Sequence, residues 1–257
     1  MFIRSIPCLQ DNYAYLLRCD VTGQTAVVDP SEAPPVLDAL KQAGLSLHAI
    51  LNTHHHFDHT GGNAELLRHF PGIPVYAHES DRGRIAGQTH FLAAGDVFTL
   101  GQLSIQVLHN PGHTHGAVSY AVHDALFTGD TLFGAGCGRV FEGTPAQMYH
   151  SLNQVIGACP ENTRLFFGHE YTRKNLEFAL HVEPDNPAIA DRLAAVSTLV
   201  QSGHFSTPSE LGLERLTNPF LRCAAPAVKA FVQGIEADNP LTPVEVFRVL
   251  RAQKDRF

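Results

Sequence analysis

What this chain of 257 residues lacks narrows its class before any motif is considered. No apolar run approaches the roughly 18 residues that a membrane-crossing helix needs. The N-terminus MFIRSIPCLQDNYAYLL holds no unbroken apolar segment and no small-residue cleavage site, because Gln10, Asp11 and Asn12 interrupt it. A cytoplasmic protein with no membrane partner is the expectation. The five cysteines (Cys8, Cys19, Cys137, Cys159, Cys223) are odd in number, scattered, and never in CxxC spacing. That excludes a disulfide framework and a zinc knuckle and leaves reduced, structural thiols. Positive charge is scarce too: 18 Lys and Arg against 25 Asp and Glu give a net charge of −7. Such a surface argues against nucleic acid as a partner, and any anionic substrate has to be met by a local cationic patch. Internal repeats and low-complexity tracts are absent. With 44% hydrophobic and 17% charged residues, the composition is that of an ordinary globular protein.

Histidine, in contrast, is abundant, at sixteen residues. Four of them, with an aspartate, crowd into THHHFDHTGGN, from Thr53 to Asn63.

Through the first two-thirds, short apolar strands alternate with turns: TAVVDP, LHAILNTH, PVYAH, LSIQVLHNPGH, AVSYAVHDALFTGD and RLFFGHE. Amphipathic helices fall between some of them, among them APPVLDALKQAG with Gly44 as its stop, NAELLRHF with Asn63 as N-cap, and TPAQMYHSLNQVIGA with Thr144 as cap and Pro145 as first helical residue. Interleaved strands and helices predict an α/β layered domain. Beyond about residue 170 the strand-like runs stop, and TRKNLEFALHV, NPAIADRLAAVSTLVQSG, TPSELGLERL, APAVKAFVQG and TPVEVFRVLRAQKDRF all read as helices. Two domains are expected, 1–169 and a helical 170–257.

In extended chain, alternate side chains project to one side about 6.6 Å apart. His54 and His56 therefore reach toward one point beyond the AILN strand, and Asp58 and His59 follow as the chain turns through Gly61–Gly62. Two ligand clusters in one short stretch suggest two adjacent ions. Imidazole with carboxylate suits zinc, iron or manganese. His55 sits between the alternating ligands and faces away. Further ligands would come from other strand ends that close in glycine-containing turns: His113 in HNPGHTHG with His115 as its local competitor, Asp130 in ALFTGDTLF, and His169 in RLFFGHE. The histidines at 69, 78, 90, 123, 150, 181 and 204 have no such context.

HxHxDH followed by a separate His, Asp and His resembles the metallo-β-lactamase superfamily, an αβ/βα sandwich with two metals at one edge. The resemblance implies that His54, His56 and His113 hold one divalent ion, that Asp58, His59 and His169 hold the second, and that Asp130 bridges them. QDNYAYLL, THHHFDHTGGN, GCGRVFEGT, FGHEYTRKNLEFALHVEPDN and RAQKDRF narrow this to a resemblance to the hydroxyacylglutathione hydrolase (glyoxalase II) family over nearly the whole chain. That family binds glutathione between its two domains, and the matching positions here are Arg139, Tyr171, Asn175, Arg251 and Lys254. Two positions depart from the animal enzymes of the family. Phe141 replaces an aromatic hydroxyl, and Arg139 replaces a lysine, which keeps the charge but changes the geometry of its donors.

The implied reaction is hydrolysis of S-D-lactoylglutathione to D-lactate and glutathione by a hydroxide bridging two ions, zinc first and iron or manganese as alternatives, with Asp58 and Asp130 as the carboxylates at the reacting centre. Water on one zinc already has a pKa of about 7. A thiol leaving group with a pKa of about 8.5 departs without a strong acid. The chain is expected to act as a monomer on a small glutathione thioester. Alternatives are a mono-iron glutathione persulfide dioxygenase, a non-catalytic metal-binding scaffold, and a nuclease. The filled ligand positions argue against the scaffold, and the missing basic groove argues against the nuclease. Cys137, in GCGR, lacks a base at recognisable spacing and reads as structural.

Overall fold

The computed structural model describes residues 1–238 and 240–257. Its layering follows from side chains that alternate along strands buried on both faces. The first sheet runs in the order β1 (Phe2–Cys8), β2 (Asn12–Arg18), β3 (Thr25–Val28), β4 (Ala49–Leu51), β5 (Val75–His78) and β6 (His90–Leu92). In β2, Tyr13, Tyr15 and Leu17 enter one core while Ala14 and Leu16 enter another. Val28 and Leu51 join the first set; Val27 and Ile50 join the second. This period of two on doubly buried strands requires a cover on each face.

The cover on one face is the second sheet. Its strands are β7 (Val97–Leu100), β8 (Leu103–His109), β9 (Val118–Val122), β10 (Ala125–Gly129), β13 (Arg164–Phe167) and β14 (Ser209–Glu210), in the order β14-β13-β10-β9-β8-β7. The core between the sheets holds Ile105, Val107, Tyr120, Phe127, Phe166 and Phe167 with the tyrosines of β2. A two-stranded hairpin, β11 (Leu132–Phe133) and β12 (Gly136–Cys137), follows β10. Outside the first sheet lie α1 (Ala33–Ala43), the single turn α2 (Phe57–Thr60) and α3 (Asn63–His69), with Val36, Leu40 and Leu66 on Ile50 and Val75. Outside the second sheet lie α4 (Pro145–His150), α5 (Thr172–Val182), α6 (Pro187–Gln201), α7 (Leu211–Thr217), α8 (Pro226–Ile235) and α9 (Pro243–Arg256). Leu126 and Leu165 from the sheet share a core with Phe178, Phe220, Phe247 and Leu250 from these helices. The result is an αβ/βα sandwich whose C-terminal helices form the outer layer of the second sheet.

The N-caps at Thr144 and Thr242 and the left-handed Gly44 stop have the geometry their residue types favour. Asn63 differs from its expected role as a helix cap. Gly62 is already helical and occupies the cap position, and the Asn63 side chain is buried, donating to Asn52 Oδ1 at 2.8 Å. The TPSELGLERL helix starts late, at Leu211, because Ser209 and Glu210 pair antiparallel with β13, so one short strand does occur beyond residue 170. No helix among the described residues is long and apolar enough to cross a membrane.

Candidate dinuclear metal centre

Four apolar strands run into polar turns at one edge of the sandwich. β4 delivers His54 and His56, and the turn α2 delivers Asp58 and His59. The loop after β8 delivers His113, Asp130 directly follows β10, and His169 follows β13 by two residues. The edge is stitched shut across the two sheets: Tyr13 N donates to Gly168 O at 2.8 Å, and Glu170 N donates to Asp11 O at 2.8 Å.

Two groups of ligand atoms result, His54 with His56 and His113, and Asp58 with His59 and His169, each within 4.8 Å. His56 Nδ1 lies 3.0 Å from both His54 Nε2 and His113 Nε2. A single N–H cannot satisfy three such nitrogens, whereas ligands on a tetrahedral ion with bonds of about 2.0–2.1 Å stand about 3.3 Å apart. In the second group, His169 Nε2 is 3.3 Å from Asp58 Oδ2, and His59 Nε2 is 3.7 Å from the same oxygen. Asp130 touches both groups. Its Oδ1 is 3.2 Å from His59 Nε2, and its Oδ2 is 3.3 Å from His169 Nε2 and 3.6 Å from His113 Nε2. His59 Nε2 and Asp130 Oδ1 are buried without hydrogen-bond partners. Orphaned buried polar atoms facing each other fit a bound cation. The residues present are suited to holding two metal ions.

The outer nitrogens explain why the rings turn as they do. Carbonyl and carboxylate oxygens only accept, so His113 Nδ1 donates to Arg139 O (2.8 Å), His59 Nδ1 to Asp29 Oδ2 (3.0 Å) and His169 Nδ1 to Asp11 Oδ1 (2.9 Å). Thr53 Oγ1 donates to Asp29 Oδ2 at 2.6 Å and so accepts from His54 Nδ1 at 3.1 Å. Four imidazoles thus turn Nε2 inward, each oriented from behind through Nδ1. A third grouping, Asp29 with His54 and His59, is also compact. Asp29 is better read as support, because both its oxygens are already committed to Thr53 and His59.

Burial, reinforced by His59, holds His54 neutral well below the usual imidazole range; burial and His113 take His56 down to about 4. For His59 and His169, burial works against the charged form, but Asp130 and its neighbouring carboxylates outweigh it and pull them up to about 10 and about 11. A field that holds a proton on these nitrogens also favours a metal ion there.

Asp11, Asp29 and Asn12, which donates to Asp58 O at 2.9 Å, are site residues that the sequence reading missed. Asp29 was findable, because VVDP is another apolar strand ending in an acid. Asp11 lies in a hairpin turn with no such signal. Of the competitors, His113 is buried in the centre and His115 is exposed. Gly168 is required by close approach, since a Cβ there would lie 2.3 Å from Asp130 Oδ1 and 2.7 Å from His59 Cε1.

A cavity of about 520 Å³ opens from these ligands toward the helical layer. Its lining includes the candidate ligands His56, Asp58, His113, Asp130 and His169, the cations Arg139, Lys174, Arg251 and Lys254, and Phe133, Phe141, Tyr171 and Asn175. All five residues expected at the substrate therefore line one cavity, and Lys174 adds a cation that was not expected. Tyr171 stacks on His169 at 4.7 Å between centroids and 7° between planes. Asn175 commits its amide to Gly134 O at 3.0 Å. Arg251 is 9% exposed and donates to Cys137 O and Asp255, so it braces the hairpin as well as lining the cavity. Arg139 is exposed and near Asp255. Phe141 is exposed at the mouth, with its ring against those of His56 and His113. Burial pushes the Cys137 thiol up to about 11, which leaves no thiolate nucleophile there. A smaller cavity of about 370 Å³, lined by Leu47, Tyr76 and Phe98, lacks any such convergence.

Comparison with known proteins agrees with this geometry. Residues 10–169 match the metallo-β-lactamase superfamily, and residues 170–257 match the C-terminus of hydroxyacylglutathione hydrolase. A hydroxyacylglutathione hydrolase of Thermosynechococcus vestitus is 48% identical over 259 residues, covering 100% of each chain. Among solved structures, the BLEG-1 B3 metallo-β-lactamase aligns with a TM-score of 0.66 at 27% identity, over 86% of this chain and 99% of that one. TTHA1623 in a di-iron-bound form aligns with a TM-score of 0.59 at 28% identity, over 86% and 100%.

Proposed function

The chain belongs to the hydroxyacylglutathione hydrolase family of the metallo-β-lactamase superfamily, and on that premise we propose that it cleaves S-D-lactoylglutathione to D-lactate and glutathione, the second step of methylglyoxal detoxification. The protein is a hydrolase. The observation that carries the substrate reading is the cavity's lining. Five candidate metal-ligand residues and four cationic side chains line the same cavity, in a chain whose net charge is −7. Glutathione conjugates carry two carboxylates, and a cationic wall is what a negative protein needs to seat them.

His54, His56 and His113 would hold one ion, Asp58, His59 and His169 the other, and Asp130 both; zinc is the first expectation, with iron or manganese as alternatives. When bound, such ions lower the pKa of water to about 7 and polarise a carbonyl oxygen. The rest falls to the chain. Asp11 and Asp29 keep protons on the outer nitrogens of His169 and His59, so the inner ones stay available. His169, Asn12 and His59 overcome the burial penalty on Asp58 and hold it ionised, so its half-exposed carboxylate can orient a water at the cavity end. Arg139, Lys174, Arg251 and Lys254 fix the glutathionyl carboxylates and thereby place the thioester carbonyl at the ligand end. Burial keeps the Tyr171 phenol protonated as a donor. The thiolate leaves without an acid, because its conjugate thiol has a pKa of only about 8.5. The division at residues 169 and 170 separates the ligand-bearing segments, with Arg139, from the helices that bear Lys174, Arg251 and Lys254, and we assign the two parts those roles in a monomeric, cytoplasmic enzyme.

The test is loss of thioester absorbance with S-D-lactoylglutathione, using protein loaded with two equivalents of metal. Absence of turnover there, with oxygen uptake on glutathione persulfide by a one-iron form, would instead establish the dioxygenase alternative.

A further inference from the structure

His55, the middle residue of the HHH run, is left without a role by the metal centre. We propose that it is a positioning residue, a link between Asp81 and the Arg84–Glu142 pair that holds the His54–His56 segment in register with His113. The inference rests on the metal reading of the site.

The chemistry of its neighbours gives each ring nitrogen a partner. His55 Nδ1 lies 3.0 Å from Asp81 Oδ1, which only accepts, so Nδ1 carries the proton. Its Nε2 faces the Arg84 guanidinium, which only donates, so Nε2 is the acceptor. Both nitrogens are committed, and His55 cannot also be a ligand. Asp81 is fully buried, and a Cβ on Gly116 would lie 2.5 Å from its Oδ2, so the loop after His113 packs directly on this anchor.

From Arg84 the link continues to His113. Arg84 Nη2 donates to Glu142 Oε1 at 2.6 Å, and Glu142 Oε2 accepts from His115 N at 2.8 Å. The backbone N–H groups of Phe141 and Glu142 both donate to His113 O at 3.3 Å, while Arg139 O takes the His113 Nδ1 proton. His113 is therefore fixed through its carbonyl, its ring and its following turn by the loop that Glu142 anchors. His55 ties that loop to the strand end carrying the other two ligands. Without it, the two segments that assemble the three-histidine group lose this side-chain tie and keep the backbone bond from Val118 N to Thr53 O at 2.9 Å, whereas the Asp58, His59 and His169 group keeps both its direct carboxylate partners, Asp11 and Asp29. The role needs a donor and an acceptor at opposite ends of a short planar group, which glutamine supplies and alanine does not.

The experiment uses the full chain loaded with zinc. Ions per chain, the rate of each ion's release to a chelator, and kcat and KM are measured for wild type, His55→Ala, His55→Gln and Glu142→Gln, with circular dichroism to establish folding. Wild type should hold two ions. In His55→Ala one of the two should leave about 10–100-fold faster, the range typical for losing outer support of a metal ligand. The other ion should keep its wild-type rate, and kcat should fall with KM little changed. His55→Gln should recover most of the loss, and Glu142→Gln should move release in the same direction as His55→Ala. Unchanged release, equal acceleration of both ions, or no rescue by Gln overturns the proposal. Should His55→Ala not fold, Glu142→Gln and Arg84→Met decide it, and wild-type release in both counts against the link. A wild type that binds no ions overturns both readings, while one that binds two ions without cleaving the thioester overturns the substrate reading alone.

Discussion

Asp11 and His169 stand 158 positions apart in sequence, and the Asp11 carboxylate accepts the His169 Nδ1 proton at 2.9 Å. The contact joins the hairpin turn of the first sheet to the last strand end of the ligand set, so closing the sandwich and fixing the tautomer of a ligand are one event. Asp29 does the same for His59 directly and for His54 through Thr53.

Replacing either carboxylate by the amide therefore separates support from ligation. Asp11→Asn should weaken one ion's binding by about 10–100-fold. Asp29→Asn should weaken both, because its oxygens serve a histidine from each group. Competition against a chromophoric chelator, site by site, checks this. Equal behaviour of the two variants would remove Asp29 from its double role.

Gly168→Ala probes the spacing of the centre itself. The new methyl would lie 2.3 Å from Asp130 Oδ1, and neither Asp130 nor His59 has room to retreat behind its partners. The carboxylate must move, and a displacement near 1 Å at a reacting centre costs on the order of 100-fold in rate. Metal content and kcat/KM should both fall, while the circular dichroism spectrum is kept. Wild-type kcat/KM in this variant would show that Asp130 tolerates displacement.

Legibility differed sharply between the ligands and what stands behind them. HxHxDH and the strand-end residues His113, Asp130 and His169 were readable because ligand chemistry and local pattern coincide: a costly polar group directly after an apolar strand. The cationic wall was readable only through family resemblance, since Arg251 and Lys254 at one helix end otherwise look like ordinary complements of the helix dipole. Asp11, Asp29, Asp81 and Glu142 each act across 24 or more positions, on partners no local spacing reveals. Asn63 misled for the opposite reason. Its local setting is that of a cap, but the tight Gly61–Gly62 turn, packed on Ser31 O and Pro30 O, sends its side chain inward to Asn52.

Glu214 offers a stability prediction. Fully buried, it accepts from Arg192, Ser209, Asn218 and the backbone N–H of Ala135, which sits at φ 53 in the hairpin above the cavity. Glu214→Ala strands the buried Arg192 charge and should cost about 3–5 kcal/mol. At about 2–4 °C per kcal/mol for a chain of this size, thermal unfolding should drop by on the order of 10 °C. Adding Arg192→Met to Glu214→Ala should recover part of the loss. A drop under about 2 °C in the single variant would mean that Arg192 finds water or another partner.

Lys254 should make the activity and the stability of the protein respond to pH in opposite directions. Burial, with Arg251 nearby, lowers its ammonium from 10.5 to about 8. If the charged form seats a glutathionyl carboxylate, kcat/KM should decline as pH rises through about 8, because that profile reports the free enzyme. Lys254→Arg keeps the charge and should flatten the decline, while Lys254→Ala should raise KM at neutral pH with kcat nearly unchanged. Stability behaves oppositely. Between about 8 and 10.5 the unfolded chain binds more protons at this side chain than the folded one, so this group's contribution to stability increases with pH across that window. Denaturation midpoints of wild type and Lys254→Met, measured at pH 7.5 and 10, should converge at the higher pH. A gap that stays constant would mean that Lys254 titrates at its ordinary value and that the decline in kcat/KM has another source.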